Sequence, residues 1–63
     1  MQIEEWLQKN NISPLEFSKK IDASRAALYK WRIGKFKPNK FYQKIIHRET
    51  QGEVSYSDWE KQI

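Results

Sequence analysis

SPLEFSKKIDASRAALYKWRIG, residues Ser13 to Gly34, is the stretch that decides the fold. It reads as two short helices joined by a tight turn, with the second helix facing outward. Ser13 stands at the N-cap, Pro14 at the first helical position and Glu16 at the third, the pattern of a capping box. Ile12 and Phe17 flank this start as a hydrophobic staple, and the missing N–H of Pro14 would have had no intrahelical partner anyway. Phe17 and Ile21 lie one turn apart on a face to be buried, and the small Ser18 between them lets another helix approach. Asp22 and Ala23 make the turn, and Ser24 is placed to cap the second helix. That helix keeps only Leu28 and Trp31 as large apolar residues at i, i+3 spacing. Arg25, Ala26, Tyr29, Lys30 and Arg32 occupy its other faces, and Gly34 closes it as a left-handed cap.

The flanking segments supply the rest of a small core. Ile3, Trp6 and Leu7 fall at i, i+3, i+4 and predict an amphipathic helix over residues 2–10 that Asn10-Asn11 ends. After Gly34, Lys35-Phe36-Lys37-Pro38 is a basic connector in which Phe36 tucks against the core. Asn39 caps a fourth helix from Lys40 to about Thr50, with Phe41, Tyr42, Ile45 and Ile46 facing inward and Lys40, Lys44 and Arg48 in water. Gly52 ends it, and Val54 returns the chain to the core. Ser57 with Glu60 predicts a further capping box opening a short last helix through Trp59. Tyr56, Trp59 and Ile63 are too many large apolar groups for a disordered tail, so they either cover the core or form a dimer or partner surface. The expectation is one all-α domain over residues 1–63, a four- to five-helix bundle.

Composition narrows the function. A chain of 63 residues is too short to hold a deep catalytic cleft. With no cysteine and one histidine, His47, no disulfide scaffold, Cys-ligated zinc site or nucleophile–base set is expected, and no cofactor, metal or small-molecule ligand. No apolar run approaches a membrane span, and Met1-Gln2-Ile3-Glu4-Glu5 lacks the features of a signal peptide, so a soluble cytoplasmic protein is expected. The three Trp, three Tyr and three Phe give so small a core large buried area per residue.

The net charge of +4 is unevenly placed. Between residues 17 and 48 stand Lys19, Lys20, Arg25, Lys30, Arg32, Lys35, Lys37, Lys40, Lys44 and Arg48 against Asp22 alone, while residues 1–16 and 49–63 are each net acidic. A merely solvated face normally mixes both signs, so this segregation points to a polyanionic partner. A membrane surface would require a broad apolar face opposite the cations, and no basic segment has one.

Residues 13–38 resemble the Cro/repressor type of helix-turn-helix, in particular the short Cro-like and YdaS-like regulators of phages and prophages. The matching positions are Ser13, Phe17, Ile21, Ser24, Leu28, Trp31, Gly34 and Pro38, and Gly52 to Ser55 match the family's tail. Three positions depart from it: Pro14 replaces a Gln that often binds phosphate, Ser18 replaces an Ala, and Asp22 replaces the turn Gly. The resemblance implies a lambda-repressor-like DNA-binding fold in which helix 24–33 enters the major groove of double-stranded DNA. Arg25, Ala26, Tyr29 and Lys30 would meet base edges, with Arg25 able to donate two parallel bonds to O6 and N7 of guanine. Ser13, Lys19, Lys20, Ser24, Lys35, Lys37 and Lys40 would position the backbone. The implied function is a sequence-specific transcription regulator, a Cro-like repressor. It would bind a pseudo-palindromic operator as a homodimer and be weakly associated or monomeric when free. The alternative within the same fold is an antitoxin or antirepressor that works by protein contact through Tyr56, Trp59 and Glu60.

Overall fold

A computed structural model describes residues 1–60. Among these residues there are five helices and no strand: α1 (Ile3–Lys9), α2 (Pro14–Ile21), α3 (Arg25–Arg32), α4 (Lys40–Glu49) and α5 (Tyr56–Glu60). The starts of α2, α3 and α4 each have a local cause. At α2 the Ser13 hydroxyl accepts from the Glu16 N–H at 3.1 Å, and the Glu16 carboxylate accepts in return from the Ser13 N–H at 3.3 Å. Ser24 caps α3 by accepting from the Ala27 N–H at 3.0 Å, and Asn39 caps α4 by accepting from the Tyr42 N–H at 2.9 Å. Such side-chain oxygens satisfy backbone donors that the first turn leaves without partners.

The helix ends share a device. After α1, α2 and α4 the chain turns left-handed at Asn11 (φ 56°), Asp22 (φ 57°) and Gln51 (φ 53°). At each, the next residue's N–H closes a long return bond: Ile12 to the Leu7 carbonyl, Ala23 to that of Ser18 and Gly52 to that of His47, at 2.8 to 3.0 Å. This is the Schellman arrangement, for which glycine is the commonest left-handed residue. Asp22 therefore takes the turn conformation that its place in the sequence demands. Gly34 (φ 78°) closes α3.

Among the described residues ten side chains make the core: Ile3, Trp6 and Leu7 from α1, Phe17 and Ile21 from α2, Leu28 and Trp31 from α3, Ile46 from α4, Val54, and Trp59 from α5. Trp6 meets Phe17 with ring centroids 5.5 Å apart, and Trp31 meets Tyr42 at 5.4 Å. α2 packs against both α3 and α4, α1 against α3, and α5 against α4. Buried Ser18 sits in α2 with its hydroxyl returned to the Leu15 carbonyl at 2.8 Å, and its small size permits the close seat of the neighbouring helices. Thr50 ties the C-terminal bend: its hydroxyl donates to the Ile46 carbonyl at 2.8 Å and accepts from the Val54 N–H at 3.2 Å.

Four expectations are corrected. Trp59, expected on a dimer or partner surface as one of two options, is fully buried and is core. The last helix begins at Tyr56, not after Ser57, because the Asp58 carboxylate, not that of Glu60, reaches back to the Ser55 N–H at 2.8 Å. Phe41, expected inside, is 66% exposed: Ile46 and Gln43 take the buried arc of α4, with the Gln43 amide donating to the Pro38 carbonyl at 2.8 Å. Phe36 does not tuck into the core but stands exposed beneath Lys30. Ile63 lies outside the described residues. No helix among them is long and apolar enough to cross a membrane.

Candidate nucleic-acid interface

The outer face of α3 follows from its buried one. With Leu28 and Trp31 turned inward, helical geometry puts Arg25, Ala26, Tyr29 and Lys30 outward, and all four are exposed. Arg25 opens the helix directly after the Ser24 cap, in the first turn, whose backbone N–H groups have no intrahelical acceptor. Neither its guanidinium nor the Tyr29 hydroxyl has a hydrogen bond or ion pair with a described residue. Arg25 is thus a free five-donor fork on a short, well-seated rod.

An open groove of about 560 Å³ runs between the start of α2 and this face, lined by Ser13, Pro14, Leu15, Arg25, Ala26, Tyr29 and Arg32, with Leu28 at its floor. It gathers three of the four expected base-contacting residues, Arg25, Ala26 and Tyr29, with one expected backbone contact, Ser13. The hydroxyls of Ser13 and Ser24 each accept a capping bond, and each retains its proton to donate. Lys30 is off the groove, its ammonium 5.3 Å from the centre of the Phe36 ring, a cation–π contact that steadies the strip after α3.

The expected backbone lysines divide into two groups. Lys19, Lys35 and Lys40 are exposed and make no ion pair with a described residue. Lys20 faces Glu49 at 3.6 Å and Lys37 faces Glu60 at 3.7 Å, both long and solvent-exposed on the lysine side. Pairs of this kind contribute little and give way readily to a phosphate.

Arg32 was not singled out by its position in the sequence, yet it lines the groove and anchors it. Its Nε donates to Glu4 at 2.6 Å and its second nitrogen lies 3.4 Å from the other carboxylate oxygen, joining α1 to α3. The Arg32 hydrogen bond holds the Glu4 carboxyl below its ordinary range against the opposing effect of burial, and the same bond raises the guanidinium. The available signal was the i, i+3 relation of Arg32 to Tyr29, which says only that it shares their side of the helix.

The carboxylates explain why the cations stand free. Those of Glu4, Glu49, Glu53, Asp58 and Glu60 are ion-paired and Glu16 is held in its capping box; Glu5 and Asp22 keep theirs free of described partners. Among the described residues no group of three acidic or histidine side chains is placed to hold a metal ion. Set against protein-family models, curated proteins and solved structures, the chain gives no match.

Proposed function

We propose that this protein reads double-stranded DNA in a sequence-specific way, with α2 and α3 as a helix-turn-helix and α3 in the major groove. One observation carries the reading: the outer face of α3 presents Arg25 and Tyr29 without a hydrogen-bond or ion-pair partner among the described residues, beside a groove open to the α2 N-terminus, while six of the eight Asp and Glu carboxylates are already engaged by other groups. The face is chemically suited to base edges. Arg25 supplies the paired donors that guanine accepts, Ala26 a methyl that packs against that of thymine, and Tyr29 either a ring edge or a hydroxyl. Lys19, Lys35 and Lys40, with Lys20 and Lys37 once their surface pairs open, fix the register on phosphates without reading sequence.

Size sets the stoichiometry. The molecule extends 25 Å along its longest axis, less than the ~34 Å that separates half-sites one helical turn apart. Reading a pseudo-palindrome therefore takes two copies, and a regulator that blocks transcription from such a site is the role that fits, in keeping with the resemblance to Cro-like repressors.

The test is selection of bound duplexes from a random pool at ~0.15 M salt, followed by titration of the selected and a scrambled duplex at two salt concentrations. A two-fold symmetric consensus with about 10³-fold preference is the expected result. Binding without a consensus that disappears with added salt would reduce the basic face to generic attraction and overturn the reading.

A further inference from the structure

A second surface lies on α4 and α5, and none of its residues lines the α3 groove. It is an open groove of about 490 Å³ formed by Phe41, Lys44, Ile45, His47, Arg48 and Tyr56. Phe41, Lys44, Ile45 and Arg48 recur at i, i+3, i+4 and i+7, one continuous face of α4. Phe41 at 66% and Tyr56 at 46% exposure leave two aromatic rings in water at its edges.

The walls are already in place. His47 stacks on Tyr56 with ring centroids 5.0 Å apart and planes within 10°, and its ring lies over Gly52, where an added Cβ would come within 3.5 Å of Nε2. Phe41 stands edge-on to Tyr42 at 5.4 Å, and Tyr42 is fixed by its hydroxyl donating to the Asp22 carbonyl at 2.9 Å. Among the described residues the charge at the rim is of one sign: Lys44 has no ion pair, Arg48 has only a 3.6 Å contact with its neighbour Glu49, and no carboxylate lines the groove.

We propose that this groove docks an acidic amphipathic helix of another protein, its apolar side chains on Phe41, Ile45 and Tyr56 and its carboxylates on Lys44 and Arg48. From Phe41 to Arg48 the face runs ~10 Å, which matches about two turns of a guest helix carrying apolar anchors at i, i+3 and i+4. A second copy of this chain is a poorer occupant. A two-fold contact through the groove sets Lys44 and Arg48 against their own equivalents, and most of the chain's carboxylates are held elsewhere. Nucleic acid is also disfavoured. The lining offers aromatic and aliphatic surface but almost no acceptors for base edges, and the His47 ring face is already covered by Tyr56.

The experiment pans a displayed library of random 14-residue peptides on the intact protein, with excess soluble Phe41→Ser variant as competitor. Selected peptides are then titrated against wild type, Phe41→Ser and Lys44→Glu. Both substituted side chains are exposed, so unchanged thermal melts are expected and serve as the folding control. The expected result is a consensus of two or three large apolar residues at helical spacing, flanked by Asp or Glu, with affinity falling roughly tenfold in each variant. A library that yields no peptide discriminating wild type from Phe41→Ser, or a consensus that is neutral or basic, overturns the proposal. So does concentration-dependent self-association in the ultracentrifuge that Phe41→Ser abolishes, or single-stranded DNA binding lost in the same two variants. DNA reading by α3 is measured separately with duplexes, so the two proposals fail independently.

Discussion

The seam that ties the N-terminus and α1 to α3 and to the segment from Glu53 to Asp58, and the outer face of α3, treat charge in opposite ways. In the seam acid–base contacts close on one another. The N-terminal ammonium sits 2.6 Å from Asp58 and 2.8 Å from the Glu53 carbonyl, Lys9 pairs with Glu53 at 3.0 Å, and Glu4 grips Arg32. On the outer face of α3, Arg25 and Lys30 find no carboxylate among the described residues. Acidic residues towards both ends of the sequence pair with cations of the fold, so the segregation read along the chain becomes, in space, a distinction between charge paired within the fold and, under the proposed reading, charge left for DNA. Net charge alone hides that distinction.

The comparison breaks most easily at the structural side. Trp59→Ala removes the largest fully buried side chain, and a loss of about 3–5 kcal/mol is expected, enough to unfold much of a 63-residue chain in a urea titration. Were the variant as stable as wild type, Trp59 would belong with the partner surface after all.

Next is Asp58→Asn. Burial raises the Asp58 pKa, but the N-terminal ammonium and the two Ser55 bonds outweigh it, so the folded value lies below the ordinary one. A carboxyl depressed in this way stabilises fully above the unfolded value, about 4, and loses that contribution as pH falls through the folded value. The substitution should therefore destabilise by about 1–3 kcal/mol at neutral pH, with the difference from wild type closing in acid. A gap independent of pH would mean that shape and not charge matters there.

Arg25→Ala tests the other side. It should leave the melting temperature unchanged and remove ~1–3 kcal/mol of discrimination at one base position of the selected duplex, measured by competition with single-base variants. Equal loss on every duplex would make Arg25 a phosphate contact. The smallest effect separates free from paired lysines. Lys35→Ala should lower the slope of log affinity against log salt by about one, whereas Lys37→Ala, whose ammonium faces Glu60 at 3.7 Å, should lower it by less. Identical slopes would show that the Glu60 pair counts for nothing in solution.

What was legible in the sequence was mostly local. Ser13, Pro14 and Glu16, then Asp22, Ser24, Gly34 and Asn39, act on neighbours three or four residues away, and each does in the structure what its spacing predicts. What was not legible depends on distant partners. Ser55 with Asp58 and Ser57 with Glu60 are equally good capping patterns, and the choice between them is reinforced by an ammonium at residue 1. On α4 too many apolar residues compete for one face. α2 seats Ile46 and a buried Gln43, whose amide is satisfied by the Pro38 carbonyl, a bond no hydropathy pattern announces, and Phe41 is left in water. At the candidate interface the exposed set on α3 was readable because it is the complement of Leu28 and Trp31. The Arg32–Glu4 brace was not, because its partners lie on different helices.

The buried cluster has one more consequence, for timing. Its members run from Ile3 to Trp59, so no shorter nascent chain can close the core, although the DNA-reading residues proposed here have all been made by Lys40. At the usual ~5–20 residues per second of synthesis, the surface of α3 is chemically complete before it is held in shape. If α3 reads DNA as proposed, its face is fixed only when α5 arrives, and an interrupted chain that stops after α4 should compete for no operator.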